Sequence, residues 1–228
     1  MVISAFKDSN PIALLLAPAT ILVFCFLYGD EIPVVAGENA MPLWKLMVQL
    51  MSQLPHWLTV LIVALLAASQ AFFWNKIVAD HELLFKKSLL PLLMYSLMII
   101  SLPAFMNFTP TLVDTTIFLL ILNRLFRVYK NPEPMPIIFD TSLMIGITAL
   151  IYFPCILFFL FLGIALLILK PFSWRDFIIG LMGFSVPFFL AFVWMFWHHS
   201  PGIIHQLFPY SDWSSMWSAS GLIAKKDI

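Results

Sequence analysis

The chain contains 228 residues, of which 62% are hydrophobic and only 11% are charged. A soluble domain carries about a quarter charged residues, and one of this size leaves much of its surface in water. The mean hydropathy of +0.98 therefore excludes a soluble globular fold. Because 12 Lys and Arg residues are balanced by 12 Asp and Glu residues, a basic protein that binds nucleic acid is excluded as well. The composition predicts an all-α integral membrane protein with no nucleic-acid partner.

Runs of about 20 apolar residues are typical of helices that cross the hydrocarbon core. Such runs cover residues 11–29, 56–74, 89–106, 111–125, 141–169 and 177–197. The first run is long and is not followed by a convincing cleavage site, so we interpret it as a retained helix and not as a signal peptide.

Residues 41–54 show a different pattern, because apolar side chains gather on one side of the predicted helix and polar ones on the other. The apolar set is Leu43, Leu46, Met47, Leu50, Met51 and Leu54, and the polar set is Lys45, Gln49, Ser52 and Gln53. This pattern predicts an amphipathic helix lying in the membrane interface, within an outer loop of residues 30–55.

The run 141–169 contains no charged residue, and two interpretations of it are open. One tilted helix gives six spans, whereas a short hairpin turning near Tyr152 and Pro154 gives seven. Lys and Arg mark cytoplasmic loops, and both flanks of the run, 124–130 and 170–175, are basic, which favours the hairpin. We therefore predict one polytopic domain over 1–228 in the inner membrane, with the N-terminus cytoplasmic and a tail, 198–228, outside.

The acidic residues on the predicted outer side are the candidates for chemistry. Asp30 and Glu31 follow the first span, and they indicate either a catalytic carboxylate or an ordinary acidic flank. Asp114 lies inside the fourth span among threonines. A carboxylate at that depth indicates a functional site, or else an acid near a helix N-terminus that the helix dipole favours.

The basic residues of the inner loops have two interpretations. Arg124, Arg127, Lys170 and Arg175 fit the role of topology determinants that contact anionic lipid, and they also fit a pocket that holds the phosphate of a lipid carrier.

Metal and cofactor sites have little support in the sequence. His198, His199 and His205 form a cluster after the last span, which fits either a metal site or a neutral pair at the interface. Neither Cys25 nor Cys155 has ligand-spaced neighbours. We predict no metal and no cofactor.

The order of these parts resembles the conserved module of the GT-C class of membrane glycosyltransferases. The similarity lies in Gly29-Asp30-Glu31 after the first span, the interfacial helix 41–54, the hairpin 141–169 and the basic-aromatic segment 170–176. It implies a polyprenyl-phosphate sugar as donor, Asp30 or Glu31 as catalytic base and Asp114 as a second acid. It also implies that such a bundle often continues with further spans after a point such as Ile228.

The chain is also similar to a family of polytopic inner-membrane proteins from Bacteroidota with no assigned activity. The matching features are Ala5-Phe6-Lys7, Asn123-Arg124 and Phe139-Asp140.

Two functions follow from the sequence. The first is transfer of a sugar from a lipid-phosphate carrier at the outer face, although few polar groups fall within the predicted spans. The second is a non-catalytic subunit or scaffold of a membrane complex, with lipids and other membrane proteins as partners. Residues 67–69 and the pair Gly180 and Gly183 provide small side chains that suit close contact with partner helices.

Overall fold

The computed structural model describes residues 11–28, 41–84, 88–101, 107–128, 134–169 and 173–197. These ranges contain helices and no strands, which confirms the helical class. The helices are α1 (Pro11–Tyr28), α2 (Pro42–Ser52), α3 (His56–Asp80), α4 (Leu90–Ser101), α5 (Pro110–Val128), α6 (Met135–Ile151), a 3-10 turn (Phe153–Ile156), α7 (Leu157–Leu169) and α8 (Trp174–Trp197). Among them, α3 and α8 are long and apolar enough to cross a membrane, and this architecture is consistent with a helical membrane protein.

Helix α3 continues to Asp80, six residues beyond the end of the apolar run at Trp74. Ile77 and Val78 are buried, and this apolar pair anchors the additional helical turn. The helix ends where Glu82 adopts a left-handed conformation with φ 50°. The N–H groups of Glu82 and Leu83 donate to the carbonyls of Ala79 and Val78, which is the hydrogen-bond pattern of a Schellman motif.

Helices α5 and α8 are also longer than predicted. Because α5 continues to Val128, Arg124 and Arg127 lie on its last turns and not in a loop. Helix α8 begins three residues early because the carbonyl of Ser173 accepts the N–H groups of Asp176 and Phe177.

The chain divides into two compact units, and the prediction of a single domain over 1–228 stays a prediction. The first unit comprises Met1–Val34 with Leu50–Leu119, and the second comprises Val35–Gln49 with Leu120–Ile228. In the first unit α1, α3 and α4 pack against one another. The buried face of α3 includes Ala64, Ala67, Ala68 and Ala71, and small side chains of this kind let helix backbones approach closely.

In the second unit α6 and α8 form the most extensive helix contact of that unit and run parallel to each other. Gly180 faces Ile138, Gly183 faces Phe139 and Ser142, and Gly146 faces Phe184 and Pro187. Residues with higher numbers on α6 therefore contact residues with higher numbers on α8, as in two parallel helices. Gly183 was predicted to suit contact with a helix of another protein. It instead packs against α6 of the same chain, which occupies the space beside it.

The start of helix α7 contacts α8. Phe153, at the start of the 3-10 turn, packs against the cluster formed by Met41, Leu150 and Met195. Six residues later, the ring of Phe159 lies 4.9 Å from Phe184 and 6.4 Å from Phe177. The charge-free run is thus broken at Tyr152, where the backbone is extended and Pro154 cannot donate a helical hydrogen bond. The chain therefore changes direction between α6 and the start of α7.

The buried face of α2 differs from the predicted apolar stripe. Trp44 and Val48 are buried with Met41, whereas Leu46 and Leu50 of the predicted stripe are exposed. The difference arises because Met41, at the start of the helix, joins the cluster with Leu150 and Met195. Leu43 of the predicted stripe packs against the same cluster, so the stripe is divided between this contact and the exposed Leu46 and Leu50.

Candidate functional site

Asp114 lies on α5 and is only 3% exposed. It is the fifth residue of a helix that begins at Pro110, whereas the favourable effect of the helix dipole is confined to the first turn. The dipole therefore gives a weak account of this carboxylate. Burial of a charged carboxylate is unfavourable unless the group is paired or hydrogen-bonded, so Asp114 is a candidate for a functional acid.

Two of the four threonines around Asp114 donate their hydroxyl hydrogen to the backbone of α5. The hydroxyl of Thr115 donates to the carbonyl of Thr111 at 2.7 Å, and that of Thr116 donates to Leu112 at 3.2 Å. Thr109 and Thr111 share a hydrogen bond of 3.1 Å. Two of the four hydroxyl hydrogens are thus directed along the helix and not toward the Asp114 carboxylate.

A buried amide in the first unit was missed by the sequence analysis. Gln70 on α3 is 2% exposed, and its Nε2 donates to the carbonyl of Leu112 at 2.8 Å and to Thr116 Oγ1 at 2.7 Å. Its Oε1 accepts a hydrogen bond of 2.9 Å from the hydroxyl of Tyr95 on α4. The lone amide within the apolar run 56–74 was the available signal, because a polar side chain at that depth needs partners.

The Gln70 network and Asp114 belong to different faces of α5. Leu112 and Thr116, which receive the Gln70 amide, are four residues apart and lie on one face of the helix, while residues two apart do not share a face. Asp114 instead lies on the face that carries the buried Ile121 and Leu125. The hydrogen bonds of Gln70 accordingly connect α3, α4 and α5.

The predicted phosphate-binding residues are arranged in an unexpected way. Nη1 of Arg124 lies 2.5 Å from Oδ2 of Asp140, and both side chains are partly exposed. Arg127 and Arg175 are exposed, and Lys170 lies outside the described residues. Arg124 is therefore already engaged by the carboxylate of Asp140, a residue that the sequence indicated as a family feature and not as a partner of Arg124.

Asp176 is a second buried carboxylate, with 4% of its surface exposed. It stands in the first turn of α8, three residues after Ser173. This spacing matches a capping box, and the helix dipole favours an acid there. The position of Asp176 has a structural explanation, in contrast to that of Asp114.

The other sequence candidates, Asp30, Glu31, His198, His199 and His205, lie outside the described residues. The convergence of Asp30 or Glu31 with Asp114 stays a prediction. Within the described part of the chain, His, Cys, Asp and Glu side chains do not come together in a group of three that would hold a metal ion.

Comparison of the chain with known protein families, with curated proteins and with solved structures gives no match.

Proposed function

We propose that the chain is a polytopic protein of the inner membrane with seven spans and a cytoplasmic N-terminus. The main support is the surface of α8, where Trp174 and Trp194 are exposed at the two ends of the helix. Twenty residues of α-helix span about 30 Å, which is the thickness of the hydrocarbon core. Between them Phe177, Leu181 and Phe189 are exposed as well. Tryptophans at two interfaces with apolar side chains between them are typical of a helix facing lipid.

The direction of α6 and α8 supports the seven-span interpretation. Parallel helices start on the same side of the membrane, so the two basic flanks of the charge-free run lie on one side, as the positive-inside rule requires. One tilted helix over 141–169 would send α8 in the opposite direction to α6. The contacts of Gly146 with Pro187 and of Gly183 with Ser142 are inconsistent with that arrangement.

The topology is tested by fusing a reporter that is active only in the cytoplasm after Lys170. We expect an active reporter there and an inactive one when the same reporter is fused after Tyr152. An inactive reporter after Lys170 with an active one after Tyr152 would contradict the hairpin and indicate a single span over 141–169, with six spans in total.

For activity, we propose transfer of a sugar from a polyprenyl-phosphate donor at the outer face. Asp114 is the observation that supports a polar centre in this framework, since its burial lies beyond the reach of the helix dipole. In the proposed step a carboxylate takes the proton of the acceptor hydroxyl, and the acceptor oxygen bonds to the anomeric carbon of the sugar. The bond from that carbon to the phosphate oxygen breaks, and polyprenyl phosphate leaves with the electron pair.

The test uses membranes that contain the full chain and a polyprenyl-phosphate hexose, with release of polyprenyl phosphate as the readout. Removing a general base lowers a rate by about 10²- to 10⁴-fold, so we expect D114N and either D30N or E31Q to lose activity on that scale. D80N is the matched control, because Asp80 is an exposed acid on α3. Full activity in D30N, E31Q and D114N, with helicity preserved, would exclude the enzymatic proposal.

The alternative proposal is a non-catalytic subunit of a membrane complex, and Gly163 on α7 favours it. A Cβ atom added at Gly163 would meet no atom within 4 Å, whereas Gly146 and Gly183 pack tightly inside the second unit. A glycine costs a helix about 1 kcal/mol relative to alanine, and an open glycine on an apolar helix suits the close approach of another helix. The test is purification of the protein together with a stoichiometric partner. Loss of that partner in G163L, together with its retention in D30N, E31Q and D114N, would favour the subunit role over sugar transfer.

A further inference from the structure

Two guanidinium groups and one carboxylate lie together where α5 ends and α6 begins. The Arg124 to Asp140 ion pair is 2.5 Å long, with side chains 38% and 51% exposed. Arg127 follows one turn later on α5 and is exposed. Side chains three residues apart on a helix are neighbours, with Cβ atoms about 5–6 Å apart. The three groups therefore form one charged patch in the second unit.

The patch has free hydrogen-bond donors and a small net charge. A guanidinium group carries five N–H donors in a fixed fork, and the contact with Asp140 engages Arg124 through Nη1. The carboxylate restrains the direction of this fork, and Arg127 adds a second fork one turn away. Arginine forks match the geometry of phosphate oxygens. With two cations and one anion, the patch has one net positive charge.

We propose that Arg124, Arg127 and Asp140 form a binding site for the phosphodiester headgroup of an anionic phospholipid, and that Asp140 selects against phosphomonoesters. A singly charged phosphodiester neutralises the patch. A doubly charged phosphomonoester would place its additional charge beside the Asp140 carboxylate, where like charges repel. Asp140 thus acts as a positioning and selectivity residue, and the site favours bulk phospholipid over a free polyprenyl phosphate.

This inference rests on the proposed topology, which places this end of α5 at the cytoplasmic leaflet, and it is independent of sugar transfer. Phospholipids of that leaflet carry single negative charges on phosphodiester groups. The proposed location therefore places the site beside lipids whose charge it neutralises. If the reporter after Lys170 were inactive, the topology would fail, while lipid binding measured in detergent would still report on the site.

The site is tested by native mass spectrometry of the full-length protein in detergent at pH 8, above the second phosphate ionisation at about 6. The probes are phosphatidylglycerol, phosphatidic acid and glycerophosphoglycerol, which carries the same phosphodiester as phosphatidylglycerol without acyl chains. We expect retention of phosphatidylglycerol in preference to phosphatidic acid and no retention of glycerophosphoglycerol. Equal retention of glycerophosphoglycerol would show a site for soluble phosphodiesters and contradict the proposal of a lipid ligand.

Substitutions of the two cations test the site itself. R124Q and R127Q should each lower phosphatidylglycerol retention by roughly three- to fivefold, the scale of a partly exposed charge interaction. K76Q removes an exposed cation of α3 and should leave retention unchanged. Retention in R124Q and R127Q equal to that of the unsubstituted chain would overturn the site.

Substitution of Asp140 tests the selectivity. D140N should raise the ratio of phosphatidic acid to phosphatidylglycerol by roughly three- to fivefold, while D140E and the exposed control D80N should keep the original ratio. Circular dichroism establishes that D140N remains helical, and D140E retains the charge in case the neutral side chain perturbs α6. An unchanged ratio in folded D140N would overturn the role of Asp140.

Discussion

At the scale of single residues, a methyl group added to Gly183 would lie 2.6 Å from the carbonyl oxygen of Phe139, and Ser142 Oγ would be closer still. The hydroxyl of Ser142 is held there by hydrogen bonds to the carbonyls of Ile138 and Phe139. Because backbone atoms supply the obstacle, rotation of a side chain cannot relieve it. The added methyl group can therefore be accommodated only if α6 and α8 move apart.

We therefore expect G183A to destabilise the protein by about 1–3 kcal/mol, the usual cost of overpacking a core. G180A is the matched control, because a Cβ there would meet Ile138 at an ordinary 3.7 Å. It should be neutral or gain up to about 1 kcal/mol from helix propensity. The measurement is the free energy of unfolding in mixed detergent micelles, and equal stability of G183A and G180A would contradict the close contact.

At the scale of helices, Gln70 connects α3 to α4 and α5 through three hydrogen bonds. We expect Q70L to lower the free energy of unfolding by about 1–3 kcal/mol, because it leaves the half-buried Tyr95 without the acceptor for its hydroxyl. Y95F should cost less than Q70L, since the two amide donors keep their partners. The change in the double variant should be smaller than the sum of the single changes, as expected for groups in one network.

The control for this network is S69A. Ser69 precedes Gln70 on the exposed side of α3, and its hydroxyl donates to Leu66 of the same helix. We expect a change within about 0.5 kcal/mol, as is usual for surface substitutions. A loss in S69A as large as that in Q70L would indicate a general sensitivity of α3 and not a tertiary network.

The helices themselves were largely predictable from the sequence, since each predicted span contains an apolar helix within the described residues. The helix ends were less predictable, because they depend on capping at Ser173 and Glu82 and on burial of Ile77. The buried face of α2 depends on Leu150 and Met195, which are more than 90 residues away in the chain. Periodicity describes one helix at a time and carries no information about such a partner.

The candidate site was less predictable than the helices. The burial of Asp114 follows from its place in an apolar run, but its position on α5 relative to the first turn required the helix start at Pro110. The ion pair of Arg124 with Asp140 depends on the approach of α6 to α5. Sequence spacing of 16 residues gave no indication of that contact.

At the scale of the whole molecule, the eight tryptophans report on the position of the chain in a bilayer. We expect variants that retain only Trp174 or only Trp194 to be quenched most strongly by lipids brominated near the headgroup. A variant that retains only Trp44, which is 7% exposed, should be quenched least. Stronger quenching of Trp174 by deeply brominated chains would contradict the assignment of α8 as a helix with interfacial ends.

The contact of α6 with α8, which is more extensive than that with its neighbour α7, has a consequence for the synthesis of the protein. Forty-one positions separate Ser142 from Gly183, so a ribosome adding about 5–20 residues per second needs about 2–8 s between them. During this interval the surface of α6 around Ser142 and Gly146 has been synthesised and its cover has not. The helix pair that forms the main contact of the second unit can therefore assemble only after α7, which lies between the two helices in the chain, has also been made.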